Sequence, residues 1–350
     1  MDNLQLMQKL SNAFGVVGFE HEVRAEIEKL VKPLVDEVHV DALGNLIATR
    51  QGKPDFTLML DAHMDEVGLI ISYIEERGFL RFATLGGWDA RVLPAQVVQV
   101  QTRSGKKLTG VIGSLPPHVL KPEDRDKPFK LEDMFIDIGA ESAAEAKKMG
   151  VRIGDPAVPF YPFTSLTDNV LGGKAFDDRA GCAVMIRVLE ALKNTKLDLT
   201  LACNFAVTEE IGARTAAHQI QPDVALALEG TIGADLPGIP PARQPTGLGK
   251  GPSITIADNS MIAHRRVIEA LEKIAEKHKI DYQYKLPIYG GTDAGSIHTS
   301  GAGVMCGVVA VPCRYIHSQF GLMRLDDFEK TIKLTTEFVK ACRTMTMPSK

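Results

Sequence analysis

The chain has 350 residues, 45% of them hydrophobic and 24% charged, with a formal net charge of -4. That length exceeds the usual single domain and predicts either two domains or one large domain carrying an insertion. The weakly acidic balance gives no electrostatic ground for a nucleic-acid or anionic-membrane partner; no apolar stretch reaches membrane-spanning length and the N-terminal "MDNLQLMQKLSNAFG" has no leader pattern, so a cytoplasmic protein is expected.

In chain order, Leu4, Met7 and Leu10, then Val23, Ile27 and Leu30, recur at helical spacing on either side of a break at Gly15 to Gly18. "HVDALGNLIATR" and "FTLMLDAH" are predicted as two strands separated by the turn "QGKPD". From residue 68, "GLIISYIEERGFLRFATLGG" and "AQVVQVQTRSGKKLTGVIGSL" alternate short strands with glycine turns, the pattern of a small β-barrel or sandwich. The charged, proline-bearing "PHVLKPEDRDKPFKLED" is expected to be an exposed loop. Beyond a short alanine-rich helix near residues 142–149, helix-like "AGCAVMIRVLEALKN", strand-like "LDLTLACNFAV", helix-like "ARTAAHQI" and strand-like "DVALALEG" alternate. Two further helices, "SMIAHRRVIEALEKIAEKHK" and "LDDFEKTIKLTTEFVKACRTM", flank the strand "GVMCGVVAVPCRY". This alternation predicts an α/β fold: a mixed sheet sandwiched by helices, formed by residues 1–67 and 166–350 and interrupted by a β-rich insertion at 68–165. Cys182, Cys203, Cys306, Cys313 and Cys342 are odd in number and include no CxxC pair, which suits reduced core thiols.

Polar clusters stand where these strands end. "AHMDEVGLI" places His63, Asp65 and Glu66 after an apolar run, and alone it is as consistent with a strand running out into water as with a site. Four more clusters join it: "AFDDRAG" with Asp177 and Asp178, "VTEEIG" with Glu209 and Glu210, "ALEG" with Glu229, and "YIHSQFG" with His317. In an open α/β sheet, residues at the carboxyl ends of neighbouring strands converge on one crevice. Carboxylates gathered there repel unless cations neutralise them, and imidazole with carboxylate suits Zn, Co or Mn. Two such ions roughly 3.5–4 Å apart need a bridging carboxylate. Of the adjacent Glu209 and Glu210, one can bind metal while the other accepts a proton from water. Asp65, two residues from His63, can take its free ring N–H and fix the tautomer. Neither GxSxG nor HExxH occurs. "GLGKG" is only a weak phosphate-loop signal, and His298 is expected to be a helix-borne packing residue.

Six motifs in order, "AHMDEVG", "GKAFDDRAG", "TEEIGARTA", "PDVALALEG", "GGTDAG" and "RYIHS", resemble the M42 family of di-metal aminopeptidases over almost the whole chain. The resemblance implies that His63 and Glu229 bind one metal, Glu210 and His317 the other, and that Asp177 bridges them, with Glu209 as general base. It further implies a cis peptide between Asp177 and Asp178, Gly291, Thr292 and Asp293 beside the substrate, a di-zinc peptidase fold and an insertion that serves as a dimerisation domain. Members assemble into tetrahedral dodecamers, so a homo-oligomer is expected. The sequence departs from the pattern at Glu229, where many members have aspartate, at "ARTA", and at "HSQFG" after His317. The implied activity is release of N-terminal residues from short peptides through a water bridging two divalent ions, Zn or Co, in each subunit. A deacylase or carboxypeptidase on the same scaffold, or a metal-binding scaffold without catalysis, are the alternatives. Lys250 and Arg243 lie in a loop that could favour acidic side chains, or are solvated surface.

Overall fold

The structure is a computed structural model and describes residues 1–119, 121–124, 127, 129–209 and 211–346. The chain divides into two compact units. One comprises Met1–Asp65, Phe163–Ile316 and the chain from Gly321 onward, and the other comprises Glu66–Pro162 with His317–Phe320.

The first unit opens with helices α1 (Asn3–Asn12) and α2 (His21–Val31), and strands β1 (Glu37–Val40), β2 (Leu46–Arg50) and β3 (Thr57–His63) follow. "HVDALGNLIATR" is therefore a hairpin rather than one strand. The Asp41 carboxylate accepts from the N–H groups of Leu43, Gly44 and Asn45, and Gly44 takes a φ of 107° that glycine adopts freely, so the chain reverses there.

The second unit is a closed barrel. Strands β4 (Gly68–Ile74), β5 (Leu80–Leu85), β6 (Val97–Gln101), β7 (Lys107–Gly113), β8 (Phe135–Asp137) and β9 (Pro156–Pro159) close in the order β4-β5-β8-β7-β6-β9. Inward residues such as Leu69, Ile71, Val98, Val100, Ile112 and Ile136 fill it, as a small barrel requires. Helix α3 (Ala143–Lys148) is capped by Ser142, and the segment before β8 carries three single 3-10 turns.

The first unit resumes with β10 (Thr164–Ser165), β11 (Val170–Gly173), α4 (Phe176–Leu192), β12 (Thr200–Ala206), α5 (Gly212–Ile220) and β13 (Val224–Ile232). Then come β14 (Ser253–Thr255), α6 (Arg265–His278), β15 (Gln283–Lys285), α7 (Asp293–Ile297), β16 (Met305–Arg314), β17 (Gly321–Arg324) and α8 (Leu325–Thr346). Its sheet runs β1-β2-β12-β3-β13-β16-β17-β11-β10, and the four central strands β12, β3, β13 and β16 are parallel. Side chains alternate across it. Leu58, Leu60 and Ala62 of β3 join the core formed with α1, α2, α4, α6 and α8, whereas Met59 joins a second cluster of Ala213, Ala216 and Ala217 on α5 with Ala294 and Ile297 on α7. By the same parity Asp61 and His63 face the α5 and α7 side. The five cysteines are free and buried, and no helix among the described residues is long and apolar enough to cross a membrane.

Candidate metal centre

His63 is the last residue of β3 and Glu229 lies six residues into β13; the two strands pair in parallel with Ala227 opposite Asp61, so two residues further on in each strand Glu229 draws level with His63. Asp177 enters at the start of α4, where it is joined to Asp178 by a cis peptide bond, as the motif resemblance implied. Glu209 follows β12. Four segments distant in sequence thus reach the carboxyl ends of adjoining parallel strands, where an open α/β sheet forms its ligand crevice.

His63 is the hub. Its Nε2 lies 3.2 Å from Asp177 Oδ1 and 3.9 Å from both Glu209 Oε1 and Glu229 Oε2, and its Nδ1 lies 3.4 Å from Asp65 Oδ1. His63, Glu209 and Glu229 each present one atom within 4.8 Å of the others, a spacing that a single cation can span. Glu229 Oε1 is buried and has no hydrogen-bond partner, an expensive arrangement unless a cation takes the lone pair. Asp65 Oδ1 faces the opposite ring nitrogen at 3.4 Å without closing a hydrogen bond to it, and its charge favours an Nδ1–H tautomer that leaves Nε2 facing the other carboxylates. Exposure separates the roles. The side chains of His63 and Glu229 are 4% and 5% exposed, but that of Glu209 is 36% exposed, open to an incoming molecule.

The electrostatics agree. Burial pushes the Glu229 carboxyl well above its ordinary range and Asp178 adds to the effect, while the His63 imidazole opposes it. Asp178 is driven up in the same way, by burial first, with His63 again opposing. Burial would lower His63, but Glu209, Asp65 and Asp177 outweigh it and raise the imidazole well above its usual value. An imidazole and several carboxylates, one with an orphaned oxygen, suit a divalent ion such as Zn, Co or Mn.

Other expected residues fall as follows. Glu210 lies outside the described residues. His317 belongs to the barrel unit, where its backbone is left-handed at φ 55° and its Nδ1 faces Gly87 closely enough that a Cβ there would stand 3.4 Å away. Gly291 precedes α7. Thr292 Oγ1 donates to Asp258 at 2.8 Å, and the buried Asp293 carboxyl is hydrogen-bonded to that of Asp61. Asp61 also accepts from Asn204 Nδ2 at 2.6 Å, and burial pushes its carboxyl up to about 6. Neither Asp61 nor Asn204 stood out in the sequence, although Asp61 shares its strand parity with His63. His298 is held on α7, its Nδ1 3.1 Å from Ala294 O. The phosphate-loop reading of "GLGKG" fails because the N–H groups of Gly249 and Gly251 are already donated to Asp327.

Comparison with known proteins places the site in context. The model of the M42 glutamyl aminopeptidase family matches residues 44–334. The lysyl aminopeptidase of Pyrococcus furiosus is 33% identical over 99% of this chain and 99% of its own length. The crystal structure of a TET aminopeptidase from a marine sediment thaumarchaeon superposes with a TM-score of 0.94 at 42% identity, covering 97% of this chain and 96% of that one. The TET1 peptidase of Pyrococcus horikoshii, which can assemble into a tetrahedron or a large octahedral shell, superposes with a TM-score of 0.87 at 33% identity, covering 97% and 99%.

Proposed function

The chain belongs to the M42 glutamyl aminopeptidase family and is a metal-dependent aminopeptidase; on that premise we propose that it removes N-terminal residues from short peptides with two divalent ions, Zn or Co, in each subunit. In this reading His63 and Glu229 hold one ion, Glu210 and His317 the other, and Asp177 both. The observation that carries the reading is His63 Nε2, set 3.2–3.9 Å from three carboxylates, one of which leaves an oxygen orphaned, with the Asp65 carboxylate 3.4 Å from the opposite ring nitrogen.

Bound divalent ions act as Lewis acids that polarise the scissile carbonyl and make water acidic enough to attack at neutral pH. The protein's own residues do the rest. Glu209, the partly exposed carboxylate, accepts the proton of the attacking water and returns it to the leaving amine. Asp65 keeps the imidazole in one tautomer. Gly291, Thr292 and Asp293 flank the substrate, and the Asp293 carboxyl, which burial pushes well up and which is hydrogen-bonded to Asp61, belongs to the acidic surroundings of Glu229 that would receive an α-amine. A requirement for that free amine separates an aminopeptidase from a deacylase.

We further assign the barrel built within Glu66–Pro162 to dimerisation, the working form to a homo-oligomer of the tetrahedral dodecamer type, and the site of action to the cytoplasm. A panel of aminoacyl p-nitroanilides, free and N-blocked, run on metal-depleted protein refilled with Zn, Co or Mn, tests the activity. Cleavage of free substrates alone supports it; equal cleavage of blocked ones contradicts it.

A further inference from the structure

Three consecutive backbone N–H groups lead to the proposed base, and each faces a different buried side chain. Asn45 Oδ1 accepts from Val207 N–H at 3.0 Å and Asp65 accepts from Glu209 N–H at 3.2 Å, while the Glu20 carboxylate lies close enough to Thr208 N–H between them for that amide to favour its ionised form. The three acceptors are 0%, 4% and 3% exposed and come from the β1–β2 hairpin, the start of α2 and the end of β3. The turn they hold is one a β-strand would not take by itself, because Thr208 is a non-glycine residue in the left-handed region at φ 51°.

Each acceptor is itself aimed. Asn45 Nδ2 donates to Asp41 at 2.7 Å and to Gly212 O at 3.0 Å, which leaves only its oxygen for Val207. Glu20 sits at the N-cap position of α2 yet makes no cap bond to that helix. Its carboxylate turns back to Gly18 N–H at 2.8 Å and across to Thr208. Gly212 closes the arrangement, since a Cβ there would stand 2.1 Å from Val207 O and 2.5 Å from Asn45 Oδ1.

We propose that Glu20 and Asn45 are positioning residues for the hydrolytic reaction: with Asp65 they clamp the Val207–Glu209 turn and thereby fix the direction in which the Glu209 carboxylate points. The proposal rests on Glu209 being the base. Neither residue is one of the side chains gathered as candidate ligands, so loosening the clamp should misdirect the base without removing a ligand. Misplacing a catalytic group by about 1 Å can lower the rate by about 100-fold.

The test compares Glu20→Ala, the isosteric Glu20→Gln and Glu209→Gln as full-length protein loaded with the same metal. Kinetics on an aminoacyl p-nitroanilide, bound metal and hydrogen–deuterium exchange of the peptide spanning Val207 are measured for each. For Glu20→Ala the expectation is a kcat lower by about 10- to 100-fold with KM within about threefold, unchanged metal content and faster exchange confined to that peptide. Glu20→Gln keeps one acceptor oxygen and should recover most of the rate; it also serves if the alanine variant does not fold. Wild-type kcat and exchange in Glu20→Ala, or a rate loss that tracks metal loss, overturns the clamp. Near-wild-type turnover in Glu209→Gln overturns the base assignment instead, so the two failures are distinguishable.

Discussion

Replacing Arg179 by methionine removes a guanidinium that donates to four backbone carbonyls. Arg179 is among the largest fully buried side chains of the molecule; Nε donates to Met64 O at 2.6 Å, and the terminal nitrogens donate to Leu10 O at 2.7 Å, Ala13 O at 3.1 Å and Gly15 O at 3.4 Å. Ala13 O keeps a second donor in Lys174 Nζ at 2.9 Å, and the Gly15 contact is long, so only the Met64 and Leu10 bonds are counted in full. At about 1.5–3 kcal/mol for each hydrogen bond to a charged group, Arg179→Met should cost about 3–6 kcal/mol, with the methionine stem preserving most of the packing. Calorimetry should show a melting temperature lower by about 5–15 °C. The loss is not spread evenly. Met64 lies between His63 and Asp65, so the metal-induced rise in melting temperature should shrink as well, while Arg179→Lys should restore part of both. A melting temperature and metal response within 1 °C of wild type would refute the reasoning, because it would mean that four buried carbonyls find other partners without penalty.

Glu209→Gln should lower kcat by at least about 100-fold while metal content measured by elemental analysis stays at the wild-type value; loss of metal would contradict its role as a base. Asp65→Asn removes the charge that faces His63 Nδ1 at 3.4 Å and should weaken metal binding by about 10- to 100-fold in competition titrations with a chromophoric chelator. Metal binding should release protons and tighten as pH rises, because the ligands Glu229, raised by burial, and His63, raised by Glu209, Asp65 and Asp177, must give up protons to the incoming ion; calorimetry in buffers of differing ionisation enthalpy reads the number. Metal-free protein should behave in the opposite sense. Asp61, ordinarily near 3.8, titrates at about 6 in the fold, and His63 is raised as well, so the native state binds more protons than the unfolded chain. Its stability therefore falls as pH rises through about 6 and beyond, which melting curves of chelated protein across that range check.

Much of this was legible in the sequence, for a physical reason. Strands of a central parallel sheet are apolar on both faces, so His63 and Glu229 mark the ends of such runs by contrast, and the sheet brings those ends together. The α/β pattern and the change of texture near residue 68 follow from hydrophobic period, which the order of residues displays directly. The hairpin within "HVDALGNLIATR" was missed because its turn is made by the Asp41 side chain bonding three backbone N–H groups, an event that period does not record. Glu20 and Asn45 were equally silent. Their partners are backbone amides far along the chain, and any residue supplies an amide, so no pattern of residue types announces them. Asp61 was hidden differently, in the middle of an apolar strand, where only its parity with His63 could have marked it.

The central claim is that His63, Asp177 and Glu229 hold divalent cation beside Glu209. Anomalous diffraction from a crystal of the cobalt-loaded protein, recorded at the cobalt edge, tests it most directly. The account predicts a peak about 2.0–2.2 Å from His63 Nε2, shared with Glu229 and reached by Asp177. Cobalt bound elsewhere, with His63 Nε2 still turned to carboxylates alone, would contradict it.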